Sequence, residues 1–167
     1  EAHFLRGFYH MQILLNWEKI IIRDKYITST SQLSKAPSER VDAWDFVIAE
    51  LKAGTELSST RVNEQVGRAT SGAAYAYLGY AYLTMAAEQA DKKTEYLNEA
   101  VKAFDNVKGY SLESDFASMF NGSNKNCKES IFEIQFTLST ANGANYSTQM
   151  HRWIGTTELW GWDEIAP

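Results

Sequence analysis

The residues best placed to do chemistry lie near the end of the sequence. Trp153, Trp160 and Trp162 stand in a stretch rich in Gly and Asn, with Asn142, Asn145, Tyr146, Gln149, His151, Arg152, Glu158 and Asp163 around them. Flat apolar rings edged by amide, guanidinium and carboxylate groups suit a sugar. The C–H face of the pyranose lies on a ring while the edge groups hydrogen-bond its hydroxyls. Trp153, Trp160, Trp162, Tyr146, Asn145 and Arg152 are therefore the candidate ligand-binding residues, with a glycan as the ligand class. The alternative is that these rings cover the open end of the fold. Trp17 is a weaker candidate, placed to staple the end of a helix.

Catalysis finds little support. The sequence holds no Gly-x-Ser-x-Gly elbow, no phosphate-cradling Gly loop and no His-Glu-x-x-His. His3 and His10 can share a helix face, yet two His without a third ligand make a poor zinc site, and a packed or surface role is expected. Asp42, Asp45 and Glu50 read as a solvent face. A glycosidase needs two carboxylates about 5 to 9.5 Å apart across a cleft, and no spacing here nominates such a pair. The expectation is a binding protein without enzyme activity, cofactor or metal. Its net charge of −5 gives no footprint for nucleic acid or an anionic membrane surface. The lone Cys127 excludes an internal disulfide framework. Five Trp, nine Tyr and eight Phe exceed what a core of this size has to contain, so some belong to a surface that binds something.

These residues need a scaffold, and its central element is the stretch from Gly67 to Leu83. No charge interrupts Gly72 to Ala87, and small residues alternate with Tyr and Leu, which predicts a helix buried on every side. The run is shorter than the roughly 18 to 20 apolar residues of a membrane span. Tyr75, Leu78, Gly79 and Tyr82 have the spacing of the first helix of a tetratricopeptide repeat, in which the Gly admits a neighbouring helix. Ala2, His3, Gly7, Phe8, His10 and Met11 align in order with Ala74, Tyr75, Gly79, Tyr80, Tyr82 and Leu83, an internal repeat. The first helix is expected over residues 1–17 with Phe4, Phe8, Met11 and Leu15 as its stripe. Trp44-x3-Ile48-x2-Leu51 matches Ala100-x3-Phe104-x2-Val107 and marks the second helix of each repeat. Ser38 and Thr70 or Ser71 are candidate N-caps, and Gly109 is expected to close the last helix. Phe132, Ile134 and Phe136 alternate within 130–136, the one strand. The expected fold is mainly α: two tetratricopeptide-like hairpins over 1–109 with an insertion at 18–37, then an irregular, aromatic-rich segment over 110–167 in the same domain.

Several stretches in this order resemble the SusD/RagB family of nutrient-binding proteins. They are Glu1-Ala2-x-Phe4-Leu5-Arg6, Val41-x2-Trp44-x3-Ile48-x2-Leu51, Gly67-Arg68-Ala69-Thr70, Gly109-Tyr110-x-Leu112, Phe116-x3-Phe120 and Glu129-Ser130-Ile131-Phe132-Glu133-Ile134-Gln135-Phe136. The resemblance implies a lipoprotein on the outer-membrane surface that captures a glycan or other nutrient, lies as a lid on a TonB-dependent transporter, and uses its helical half as scaffold and transporter contact. The lipidated N-terminal Cys and C-terminal half of such proteins fall outside this sequence, which reads as an internal fragment. Their sites are built from variable loops, so the candidate residues above come from chemistry and not from the resemblance. A helical-repeat scaffold that binds a partner protein without a small ligand is the alternative.

Overall fold

The computed structural model describes residues 1–61 and 65–135. Among them run four α-helices, α1 (Ala2–Leu14), α2 (Arg40–Gly54), α3 (Ser71–Glu88) and α4 (Lys93–Phe104), with short 3-10 turns at Thr30–Gln32, Ala90–Lys92 and Phe116–Met119. α1 packs on α2 and α3 on α4, and the two hairpins join through α2 and α3. The fold is mainly α and tetratricopeptide-like, as the Gly spacing predicted. A methyl group built at Gly7 would come within 3.1 Å of Leu51 Cγ, and one at Gly79 within 2.6 Å of the Phe104 ring. In each hairpin, then, the missing side chain lets the second helix lie against the first.

Phe104 stands against Gly79 where Glu50 and Leu51, not Ile48, stand against Gly7, and Val107 lies beyond the end of α4. Other details also shift. The stripe of α1 ends on the buried Leu14, while Leu15 is exposed after the helix has stopped. Ser38 does not cap α2. Its N–H donates to the Ile20 carbonyl at 2.8 Å, closing an isolated antiparallel bridge that shuts the insertion, and Glu39 takes the N-cap position without a side-chain bond. Thr70 does cap α3, its hydroxyl accepting from the Ala73 N–H. Gly109 is left-handed at φ +88° but follows the end of α4 instead of capping it. α3 is not buried on every side, because Tyr80 and Leu83 face solvent. Residues 131–135 join no sheet ladder, Phe132 instead packing edge-on against Phe4 and Phe8. Phe136 lies outside the described residues.

Two ionic nodes, the first of them buried, lock the helices together. Glu50, expected on a solvent face beside the exposed Asp42 and Asp45, is buried against α1. Its carboxylate accepts from Arg6 Nε and Nη2 at 2.8 and 2.7 Å and from His3 Nδ1 at 2.9 Å. The remaining Arg6 Nη1 reaches the Asp24 carbonyl at 2.7 Å, and the guanidinium lies over the Phe46 ring. At the opposite ends of the helices, Arg40 pairs through Nε and Nη2 with Glu88 of α3 and through Nη1 with the Leu14 and Trp17 carbonyls. The Leu14 carbonyl is the last of α1, where the helix has no partner of its own to offer, and Trp17 lies just beyond that end. Trp44 donates its indole N–H to the same Glu88 carboxylate at 3.1 Å.

Leu78→Ala is expected to cost about 2 to 5 kcal/mol and Gly79→Leu about 1 to 3 kcal/mol in urea denaturation; surface-like values for both would misplace α3. The Glu50 node has its own signature. Burial alone would raise the Glu50 carboxyl, but the hydrogen bonds from Arg6 and His3 outweigh it and hold the pKa below the ordinary 4.5. A carboxyl depressed in the folded state contributes stability that is present above its unfolded value and lost as pH falls through the folded one. Unfolding free energy measured from pH 7 to 3 should therefore fall below pH 4.5 less steeply in Glu50→Gln than in the parent chain. Arg6→Ala, which strands the buried carboxylate, should cost about 3 kcal/mol at pH 7.

Candidate ligand-binding surfaces

The six residues selected from the sequence, Asn145, Tyr146, Arg152, Trp153, Trp160 and Trp162, all lie outside the described residues. Trp17 is described. It does not staple the end of α1; its indole is exposed, while its carbonyl is one of those held by Arg40. His3 is exposed and hydrogen-bonds Glu50, while His10 is packed, the surface and packed roles expected. His10 is buried, with Nδ1–H donating to the Arg6 carbonyl at 2.8 Å and Nε2 accepting the Arg23 N–H at 3.1 Å, which fixes the tautomer. Among the described residues no group of three or more His, Cys, Asp or Glu could hold a metal ion. No helix among them is long and apolar enough to cross a membrane.

Insertion 18–37 is an ordered loop without regular ladders. Ile20 buries its side chain in the core and anchors the entry. Backbone groups that a sheet would satisfy are met instead by side chains. Arg23 donates to the Gln32 and Leu33 carbonyls, Lys35 to the Ile22 carbonyl, and Gln32 Oε1 accepts the Thr28 N–H. The result presents Tyr26 and Leu33 to solvent beside a cleft of about 230 Å³ lined by Arg23, Asp24, Lys25, Gln32 and Lys35. The Asp24 carboxyl sits below its usual range, first through a hydrogen bond with its own backbone and then through Lys35.

A second surface lies on α3. Ala76, Tyr77 and Tyr80 face Glu129, Ser130, Ile131 and Phe132 across an open groove of about 390 Å³. Its far wall is pinned from three directions. Phe132 is wedged against Phe4 and Phe8 with centroids at 5.1 and 5.6 Å. Arg61 donates to the Ser130 and Ile131 carbonyls at 2.6 and 3.2 Å. Glu129 accepts the Glu113 N–H at 2.6 Å. On the helix side Tyr77 stands edge-on to Phe8 at 5.0 Å, and burial, then the neighbouring Tyr80, pushes its phenol pKa up. An aromatic floor with a carboxylate and a hydroxyl at its rim offers stacking and hydrogen bonds. Among the described residues that line the groove, Glu129 is the one carboxylate. Sequence reasoning missed this groove, since its walls meet only in three dimensions. The one local signal was the spacing Ala76, Tyr80, Leu83, Ala87 along a single helix face.

Comparison with protein-family models and with curated proteins returns no match. Solved structures do match. A SusD-like protein from Bacteroides fragilis is 28% identical with a TM-score of 0.65, over 81% of this chain and 26% of that one. A laminarin-binding SusD-like protein is 21% identical with a TM-score of 0.69, over 86% of this chain and 31% of its own. Surface glycan-binding protein A from Bacteroides uniformis is 22% identical with a TM-score of 0.59, over 81% and 30%. The chain thus spans between 26% and 31% of the length of these structures. Paired helical hairpins, the close approaches at Gly7 and Gly79 and these three likenesses together establish that the chain has the fold of the SusD-like nutrient-binding proteins.

Proposed function

We propose that the chain is part of a non-enzymatic glycan-binding protein of the outer-membrane surface, held there by a lipid anchor and delivering its ligand to a TonB-dependent transporter. The observation that carries this is the shared fold with proteins described as laminarin-binding and surface glycan-binding. The aromatic surplus supports it, as does the chemistry of the tail. Trp153, Trp160 and Trp162 supply the stacking faces, and Asn145, Tyr146 and Arg152 the polar edge. The helical hairpins contact the transporter.

Tryptophan fluorescence tests the binding step. Trp44 is fully buried and bonded to Glu88, so it contributes a constant background, and Trp17→Phe removes the other described indole. Titration of that variant with laminarin and other soluble oligosaccharides should change the emission. Alanine at any one of the three tail tryptophans that contacts sugar should weaken binding about tenfold or more, the equivalent of about 1.4 kcal/mol. A full-length protein that responds to no soluble glycan, yet captures a protein partner after all three tail tryptophans are replaced, is a helical-repeat scaffold instead.

A further inference from the structure

The cations of this chain differ in what holds them. Arg6, Arg40 and Arg68 are each paired with a carboxylate, as are Lys19, Lys102 and Lys128. Those that line the cleft of the insertion are held otherwise. Both terminal nitrogens of Arg23 donate to backbone carbonyls, those of Gln32 and Leu33, at 3.0 and 2.5 Å. Lys35 donates to the Ile22 carbonyl at 2.9 Å and reaches the Asp24 carboxylate only at 3.5 Å. Lys25 is exposed and bonds to no described residue. A carbonyl fixes a cation without cancelling its charge, because it is a dipole and carries no net charge of its own. Three cations and the single carboxylate of Asp24 therefore line one cleft, a surplus of two positive charges in a chain whose net charge is −5.

We infer that this cleft is a subsite for an acidic sugar, one that carries a carboxylate or a sulfate ester on its ring. The inference rests on the glycan-binding reading above and names the class of glycan. Arg23 and Lys35 are already held by the loop, so little side-chain freedom is lost when they meet an anion. Lys25 has all three of its donors to give. Tyr26, 89% exposed, lines the same cleft and offers its ring to the C–H face of the sugar. The Asp24 carboxylate repels a bare inorganic anion but suits a sugar, whose hydroxyls donate to it. At about 230 Å³ the cleft is smaller than the roughly 300 to 1,000 Å³ of a site that encloses a drug-sized ligand, which fits one ring of a longer saccharide. The groove on α3 has no cation among the described residues that line it, so it lacks this selectivity.

Calorimetric titration of the full-length protein tests this with matched pairs: an oligogalacturonide against its methyl ester, and a sulfated galactan oligosaccharide against its desulfated form. The acidic member of at least one pair should bind about tenfold tighter at low salt, and most of that preference should vanish near 1 M salt, where the Debye length is about 3 Å. The pair that shows it identifies the anion as carboxylate or sulfate. Lys25→Gln and Tyr26→Ala change exposed side chains and should leave the melting temperature where it is. The first should cut the acid preference about threefold, and the second should weaken the acidic ligand about threefold or more. Equal affinity within both pairs overturns the inference, and leaves the broader reading standing where the neutral oligosaccharides bind. An acid preference that survives both substitutions places the anion elsewhere and overturns it too. Inorganic sulfate that displaces the oligosaccharide at equal concentration makes the cleft a plain anion site, with the same result. Acid-selective binding without response to any neutral glycan supports the cleft and counts against the tail tryptophans as the glycan site, whereas no binding by any of the four ligands overturns both readings.

Discussion

One carboxylate sits where the first hairpin closes, and much of the architecture follows from its needs. Glu50 lies on the inner stripe of α2 against Gly7, a place that water does not reach. A charge in such a position is tolerated only with partners on nearly every lone pair. α1 supplies them as Arg6 and His3, one turn apart on the face that meets α2. Arg6 then has one donor to spare, and it goes to the Asp24 carbonyl. The same guanidinium that neutralises Glu50 therefore fixes the path of the insertion. His10, one turn further along α1, holds the Arg23 N–H and fixes the next residue of that path. Hairpin closure and loop geometry are one network.

Arg40 does at the other end what Arg6 does here. Its guanidinium joins the last carbonyls of α1, the start of the insertion and the Glu88 carboxylate of α3, which also receives the Trp44 indole. The hydrogen bonds to Glu88 raise the Arg40 pKa above its usual value. Each arginine uses its planar fork for bidentate pairing with a carboxylate and its remaining N–H for a backbone carbonyl, a division of labour a lysine cannot reproduce. The first node acts within a hairpin and the second between hairpins, so the stack is tied at both levels by ionic contacts set among apolar stripes.

How much of this was legible depended on how local the signal was. The Gly-centred spacing of Tyr75, Leu78, Gly79 and Tyr82 gave the helix, its contact face and the repeat, because a small residue among large ones on a helix has a local geometric consequence. Glu50 was misplaced because charge was weighed above position. It shares a stripe with Ala43 and Val47, and the cations that justify it are on another helix. Ser38 has the right chemistry for a cap, yet it pairs with Ile20 in the bridge that closes the insertion and lies one residue before the N-cap position, which Glu39 takes. The groove beside Tyr80 joins residues 76–80 to 129–132, and no local pattern reports such a meeting. Of the candidate site chosen from the sequence, the six tail residues lie beyond the described part of the chain, so only its scaffold can be compared.

The distribution of charged groups bears on what kind of chemistry this fold carries. A catalytic carboxylate must be free to take or give a proton near a substrate, with its pKa set for that task. Four of the described carboxylates are committed to structure: Glu50 to Arg6 and His3, Glu88 to Arg40 and Trp44, Glu1 to Arg68, and Glu129 to the Glu113 backbone. Where pKa shifts among Glu1, Glu50 and Asp24 have a direction, it is downward, toward a permanently ionised structural anion and away from a proton donor. Exposed surface is instead rich in rings: Trp17, Tyr26 and Tyr80, with Phe116 tilted against Phe120. Ionic pairs that tie the helices together, with aromatic faces turned outward, suit the binding role proposed above, in which affinity would come from desolvating flat surfaces.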